Sequence, residues 1–239
     1  MENKKAFISK LQQDILKWEG YKPPATGVRN LVGLGPVEAA FPNGVFPIGA
    51  VHELVCASSE QAAATTGLIT GILSVLMAQG GVCVWIGRTR QLFAPAFAGF
   101  GVLPHQVIFI SLLKDKDALW VMEEALKCNG LTAVICELRE MDFKQSRRLQ
   151  LAVEHSRVTG FVLRNSAEKL VSTACAARWQ VQSLPGADMD GLPGLGFPRW
   201  QVDLLKVRNG QPGSWILEWS EDRFHTVEPV IIQEERQVG

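Results

Sequence analysis

Residues 50–86 read AVHELVCASSEQAAATTGLITGILSVLMAQGGVCVWI, and the fold class rests on this stretch. Ala50 to Val55 is a short strand. A Ser/Ala/Thr-rich turn follows, and Gly67 to Gln79 is an apolar helix that Gly80-Gly81 terminates. The uninterrupted apolar run Val82 to Ile86 is the pattern of a parallel strand covered on both faces. Strand, helix and buried strand make a βαβ unit.

The pattern continues downstream. A helix is expected through Leu92 to Phe100, a strand at Val107 to Ser111, a helix at Lys116 to Cys128, a strand at Thr132 to Leu138, a helix at Phe143 to Ser156 and a strand at Gly160 to Arg164. Such alternation predicts an α/β fold with a mostly parallel sheet flanked by helices. Beyond Ser172 the period changes to two, with Ala177, Trp179 and Val181 on one face and Arg178, Gln180 and Gln182 on the other. A Gly/Pro-rich loop, Leu184 to Pro198, leads to the strand Trp200 to Val207, which Asn209-Gly210 turns toward Ser214 to Trp219. Antiparallel strands therefore extend the sheet at its C-terminal edge, and a polar tail is expected from about Glu221.

Upstream, Phe7, Leu11, Ile15 and Trp18 stand at helical spacing, and the glycines and prolines of residues 20 to 50 predict an extended arm suited to assembly or docking. The division expected is residues 1–49 as helix plus arm and residues 50–239 as core with the antiparallel extension.

Composition narrows the function. The 239 residues carry 24 Lys plus Arg and 24 Asp plus Glu, and 47% are hydrophobic, so a globular core is expected without the basic field of a dedicated nucleic-acid binder. No stretch reaches the length of a signal core or a membrane span, and a cytoplasmic location is expected. The five cysteines form no CxxC pair and mostly sit in apolar runs, and the four histidines are scattered, so no metal site is expected.

The order of strand, phosphate-loop position, helix, apolar strand, second apolar strand ending in an acid, and C-terminal antiparallel strands resembles the core of RecA-like ATPases. Over nearly the whole chain the sequence is similar to the ImuA family, through GLGPVEAAFPNGVFPIGAVHEL (33–54), SRRLQLAVEHSRVTGFVLR (146–164), AARWQVQSLPG (176–186) and, most specifically, PRWQVDLLKVRNGQPGSWILEW (198–219). The resemblance implies a RecA-like protein acting beside ImuB, a polymerase-like protein, and a DnaE-type polymerase in damage-induced, error-prone synthesis (translesion synthesis in the SOS response), with RecA as a further partner. DNA contact is expected to be weak or indirect.

A working phosphate loop needs GxxxxGK[ST], whose backbone N–H groups wrap phosphate while Lys neutralises it and the hydroxyl holds magnesium. The corresponding turn, Cys56 to Gly67, places Ser58 and Ser59 at its start, Ala63 and Ala64 at the Gly and Lys positions, and Thr65 and Thr66 at the hydroxyl positions. Glu60 adds negative charge. Two readings remain, residual nucleotide binding at a helix N-terminus and a Ser/Thr-capped helix packed through small residues, and the second is preferred. ATP hydrolysis, catalytic residues and a cofactor are therefore not expected. Glu137, closing the strand of Val134 to Cys136, stands at the Walker-B place, where it either orients magnesium or is a solvated acid. After Ile86, where the RecA-like scheme has a carboxylate, come Gly87, Arg88, Thr89 and Arg90.

Arg88 and Arg90 are candidate contacts to DNA phosphate or an acidic partner. Lys144, Arg147, Arg148, Arg157 and Arg164 make a second basic run, with Arg147 and Arg148 on the first helical turn and Leu149, Leu151 and Ala152 facing inward; Glu137, Glu140, Asp142 and Glu154 in the same region favour a salt-bridged surface. Tryptophans on strand faces are usually core, yet Trp200, with Arg199 and Arg208, is a candidate interface anchor. Two other readings compete with the adaptor: a SulA-like division inhibitor, which is shorter than this chain, and an atypical ATPase drawing a lysine from Lys114 or Lys116.

Overall fold

The computed structural model describes residues 32–88, 94–165, 171–186 and 196–228. The expected N-terminal helix and residues 187–195 of the Gly/Pro-rich loop lie outside them. Nine strands form one sheet: β1 (Val51–Cys56), β2 (Cys83–Gly87), β3 (Val107–Ser111), β4 (Ala133–Leu138), β5 (Thr159–Asn165), β6 (Ala177–Leu184), β7 (Arg199–Val207), β8 (Gly213–Ser220) and β9 (Arg223–Val227). Their spatial order is β3-β2-β4-β5-β1-β6-β7-β8-β9. The strands from β3 to β6 pair in parallel, and β6 to β9 pair antiparallel. Helices α1 (Ser59–Leu76), α2 (Asp115–Leu126) and α3 (Phe143–Ser156) cover it.

All six residues of β1 are buried, as expected for a central strand covered on both faces. On one face α1 packs against Trp179, Trp200, Leu217, Trp219 and Phe224. Glycines on α1 permit this approach: a Cβ on Gly67 would sit 3.0 Å from the Trp200 ring, and one on Gly71 would lie 2.6 Å from Phe224. On the other face α2 and α3 bury Met122, Leu126, Leu149 and Val153 against Val84, Val134 and Val162. A capping box fixes the start of α3, with Asp142 Oδ1 accepting from Gln145 N at 2.7 Å and Gln145 Oε1 accepting from Asp142 N at 2.8 Å.

Several elements depart from their sequence reading. The helix expected from Gly67 begins at Ser59, because Ser58 caps it and the Ala/Thr run that follows is compatible with helix. Of the helix expected at Leu92 to Phe100, residues 94–100 form a 3-10 helix, and residues 92–93 lie outside the described residues. Leu151 is 44% exposed on the outer side of α3, and Arg147 and Arg148 lie in its second turn. The start of the tail expected from Glu221 is instead a turn and strand β9, which buries Phe224, while residues 229–239 lie outside the described residues. Glu221 and Asp222 make that turn with φ of 52° and 56°, a geometry more often signalled by Asn-Gly.

Residues 32–49, read as part of an extended arm, fold back onto the sheet in two 3-10 turns, Gly35–Ala40 and Pro42–Gly44. Val32, Leu34, Val37, Phe41 and Phe46 are buried in the α1-side core. His52 secures them. Its ring stacks on Phe46 with centroids 4.5 Å apart, its Nε2 lies 2.8 Å from the Pro47 carbonyl, and its Nδ1 accepts from Trp179 Nε1 at 3.3 Å. A carbonyl only accepts and an indole N–H only donates, so His52 is held neutral with its proton on Nε2. Burial lowers its pKa from 6.5 to about 4, against the opposing pull of the Pro47 carbonyl.

Candidate functional site

The C-terminal ends of the parallel strands gather the residues that a RecA-like nucleotide site would use. Between β1, ending at Cys56, and α1, starting at Ser59, the connection is only Ala57 and Ser58. Its polar groups are turned on one another: Ser58 Oγ accepts from Gln61 N at 3.3 Å, and Gln61 Oε1 accepts from Ala57 N at 2.8 Å. Ser59 and Glu60 lie exposed in the first turn, where hydrogen bonds from Ser58 and from the Glu60 backbone amide hold the Glu60 carboxyl below its ordinary range.

The register that places Ala63 to Thr66 around a phosphate is therefore not the one the fold presents. Ala63, Ala64, Thr65 and Thr66 all lie inside α1, past its first turn. Ala64 is buried, the Thr65 hydroxyl accepts from the Cys56 thiol at 3.4 Å, and Thr66 Oγ1 donates to Ala62 O at 2.8 Å. These hydroxyls serve the helix and its packing.

Glu137 is the penultimate residue of β4 and half-buried, with Oε1 accepting from Trp85 Nε1 at 2.9 Å. Gly87 makes room for it, since a Cβ there would lie 3.1 Å from Glu137 Oε1. Burial pushes the Cys56 thiol pKa up, and the Glu137 charge adds to the effect. Cys56, Thr65, Trp85 and Glu137 thus form one inward-facing group, in which the acid at the Walker-B place is engaged by an indole.

Next to it, Asp115 ties three elements together. Arg88 Nη1 meets Asp115 Oδ1 at 2.9 Å, while Asp115 Oδ2 accepts from Arg139 N at 3.1 Å and from Arg139 Nε at 3.4 Å. Arg88 is therefore ion-paired; Arg90 lies outside the described residues. Lys114 and Lys116 follow β3, four strand spacings from β1 or roughly 19 Å, too far to serve the N-terminus of α1 within one copy.

The remaining candidates are dispersed. Arg147 is exposed on α3, and Arg148 pairs with Glu123 on α2. Arg199 bridges to Glu218 across β7 and β8, with Nε and Nη2 at 3.0 and 2.6 Å from Oε2. Arg208 follows the other end of β7, its amide donating to Ala176 O at 2.8 Å. A strand of this length separates Arg199 from Arg208 by roughly 30 Å. Trp200 is 3% exposed, against Gly67, Phe100 and Phe224, so it is core and not an interface anchor. These cations do not converge on one basic face.

The sequence reading did not identify a buried ionic hub. Glu53, in the middle of β1 and fully buried, accepts from Arg164 Nη1 at 3.0 Å through Oε1, and from Arg178 Nε at 2.9 Å and Thr173 Oγ1 at 2.6 Å through Oε2. Arg164 is thus part of the interior and not of a basic surface. Its Nε has no hydrogen-bond partner among the described residues. The available signal was the placement of single charges inside apolar strand patterns, AVHELVC and GFVLRN, where a buried charge requires a partner.

Comparison with known proteins adds two findings. The chain is 34% identical over 200 residues to Protein ImuA from two strains of Caulobacter vibrioides, an alignment covering 77% of this chain and 81% of the relative. The crystal structure of the RadB recombinase superposes with a TM-score of 0.56 at 13% identity, covering 82% of this chain and 99% of the other, a likeness of RecA-like fold alone. No model of a known protein family matches.

Proposed function

The chain belongs to the ImuA family, and from that premise we propose that it is a non-catalytic RecA-like adaptor in damage-induced, error-prone DNA synthesis. Its partners in this reading are an ImuB-like protein of the polymerase family, RecA and a DnaE-type polymerase, in the cytoplasm. The observation that carries the proposal is the two-residue connection Ala57–Ser58. Catalysis of phosphoryl transfer is mostly positioning and electrostatic stabilisation of the phosphates. Here there is no glycine-rich cradle and no loop lysine, Arg88 follows the final Gly87 of β2, and the Trp85 indole is engaged with Glu137. With no source for that stabilisation, the surfaces of the domain are its working parts.

The outer face of β7 and β8, bounded by Arg199 and Arg208, is the proposed partner surface, while Trp200 supports it from within. DNA contact is weak or indirect in this account, because the basic residues are dispersed and several are ion-paired. Among the described residues no helix is long and apolar enough to cross a membrane.

The test is capture by the tagged chain after DNA damage, repeated with purified partners. An ImuB-like or DnaE-type protein, or RecA, should co-purify, and Arg199→Ala with Arg208→Ala should weaken the capture without unfolding the protein. Failure of all three purified proteins to bind would overturn the proposal, and filamentous cells on overexpression would favour the division inhibitor instead.

A further inference from the structure

Helices α2 and α3 lie side by side on one face of the sheet and run parallel, because each crosses back between strands of its parallel half. Two contacts fix their relative level: Arg148 pairs with Glu123, and the Ser156 hydroxyl donates to Leu126 O. Trp120, one turn before Glu123, stands near the Arg148 turn. Between the helices is an open cleft of about 330 Å³, lined by Glu123, Lys127, Arg148, Leu151, Ala152 and His155.

Trp120 is 62% exposed on α2, and Leu151 is exposed on α3. At that exposure a tryptophan contributes little to its own fold, and tryptophan is enriched at the energetic centres of interfaces.

Charge is sorted by helix. Apart from Asp115, which Arg88 and Arg139 hold, α2 carries Asp117, Glu123 and Glu124 against Lys116. α3 carries Lys144, Arg147 and Arg148 against Glu154. One helix is acidic and its neighbour basic, and Asp117, Lys144 and Arg147 have no ion-pair partner among the described residues. Such a face is its own complement. Turned about a twofold axis parallel to the helices, the acidic helix of one copy lies over the basic helix of the other, and the reverse. A foreign helix of either sign would match one of the two and be repelled by its neighbour.

We propose that the α2–α3 face is a homodimer interface, with a second copy of this chain as its partner. In the dimer Trp120 of each copy stacks on Arg148 of the other at the mouth of the cleft, and Asp117 and Glu124 of each oppose Lys144 and Arg147 of the other. Helices of this length, packed side by side, offer a face of about 20 by 20 Å. A stable interface buries about 800 Å² per partner, so the dimer is weak and concentration-dependent, with the two tryptophans at its centre. The interface leaves the outer face of β7 and β8 free, and it stands independently of the adaptor proposal.

Sedimentation velocity of the full chain over a concentration series should show a monomer–dimer equilibrium with no larger species, and the dimer should weaken as salt is raised. Trp120→Ala should weaken it about tenfold or more, while thermal melts stay close to those of the native chain. Charge exchange tests the symmetry: one variant carries Asp117→Lys with Glu124→Lys, and a second carries Lys144→Glu with Arg147→Glu. Each alone should be monomeric through like-charge repulsion, and the two mixed in equal amounts should form a heterodimer detected by native mass spectrometry, with melts confirming that both fold. A monomer at the highest soluble concentration, growth beyond the dimer, a dimer that salt or Trp120→Ala leaves unchanged, or folded charge-exchanged variants that fail to pair would each overturn the proposal.

Discussion

Acid should loosen the attachment of residues 32–49 through a single imidazole. His52 is neutral in the folded protein with a pKa of about 4, while the unfolded chain titrates near 6.5. Above pH 6.5 neither state is protonated and the contribution to stability is fully present. As pH falls from 6.5 toward 4 the unfolded chain takes up a proton that the folded protein resists, and stability is lost across that window. At 1.36 kcal/mol per pH unit the loss amounts to about 3 kcal/mol. For a domain of this size this corresponds to about 6–12 °C in melting temperature. Urea unfolding followed by tryptophan fluorescence at pH 7, 6, 5 and 4 should be run on the native chain and on His52→Gln, whose amide is able to bond both Pro47 and Trp179. Carboxylate effects common to both proteins cancel in the difference. The native chain should lose about 3 kcal/mol more than the variant between pH 7 and 4; parallel curves would refute the buried neutral imidazole as the acid-sensitive element.

Gly71→Ala tests the packing of α1, because its new methyl would lie 2.6 Å from Phe224 and 3.0 Å from Trp219. Overpacking should outweigh the gain in helix propensity, for a net loss of about 1–2 kcal/mol in denaturant unfolding. Glu53→Gln removes the charge that two buried or half-buried arginines share and should cost about 3–5 kcal/mol, read as a large drop in melting temperature. Binding of duplex DNA, if measured across salt concentrations, should give a log–log slope no steeper than about −4, since each neutralised phosphate contributes roughly −0.9; a slope near −8 would require a convergent basic face.

The parallel core was legible because its strands are apolar runs of strand length separated by helical patterns, so β2, β4 and β5 follow almost residue by residue from VCVWI, AVICEL and GFVLR. The alternation at Ala177 to Gln182 was equally direct: Ala177, Trp179 and Val181 are buried. The start of α1 was less so, since Ser, Ala and Thr are compatible with a loop or a capped helix, and the choice depended on how tightly β1 turns into it. Trp200 illustrates a different limit. An interface anchor and a core tryptophan have the same strand context, and it is Gly67, distant in sequence, that opens the space Trp200 fills. The Glu53 hub depends on three strands coming together, and β9 depends on a left-handed Glu221-Asp222 turn that no glycine announces.

A non-catalytic domain should neither bind nor turn over nucleotide, and both are measured on the purified full chain. Magnesium–ATP is titrated by calorimetry, and phosphate release is followed with and without the captured partner. The native chain should show no saturable binding and no release above background in either state, and so should Ala64→Lys, where a lysine enters a buried helix position and destabilises the fold without creating a site. Magnesium-dependent turnover by the native chain that Glu137→Gln abolishes would contradict it.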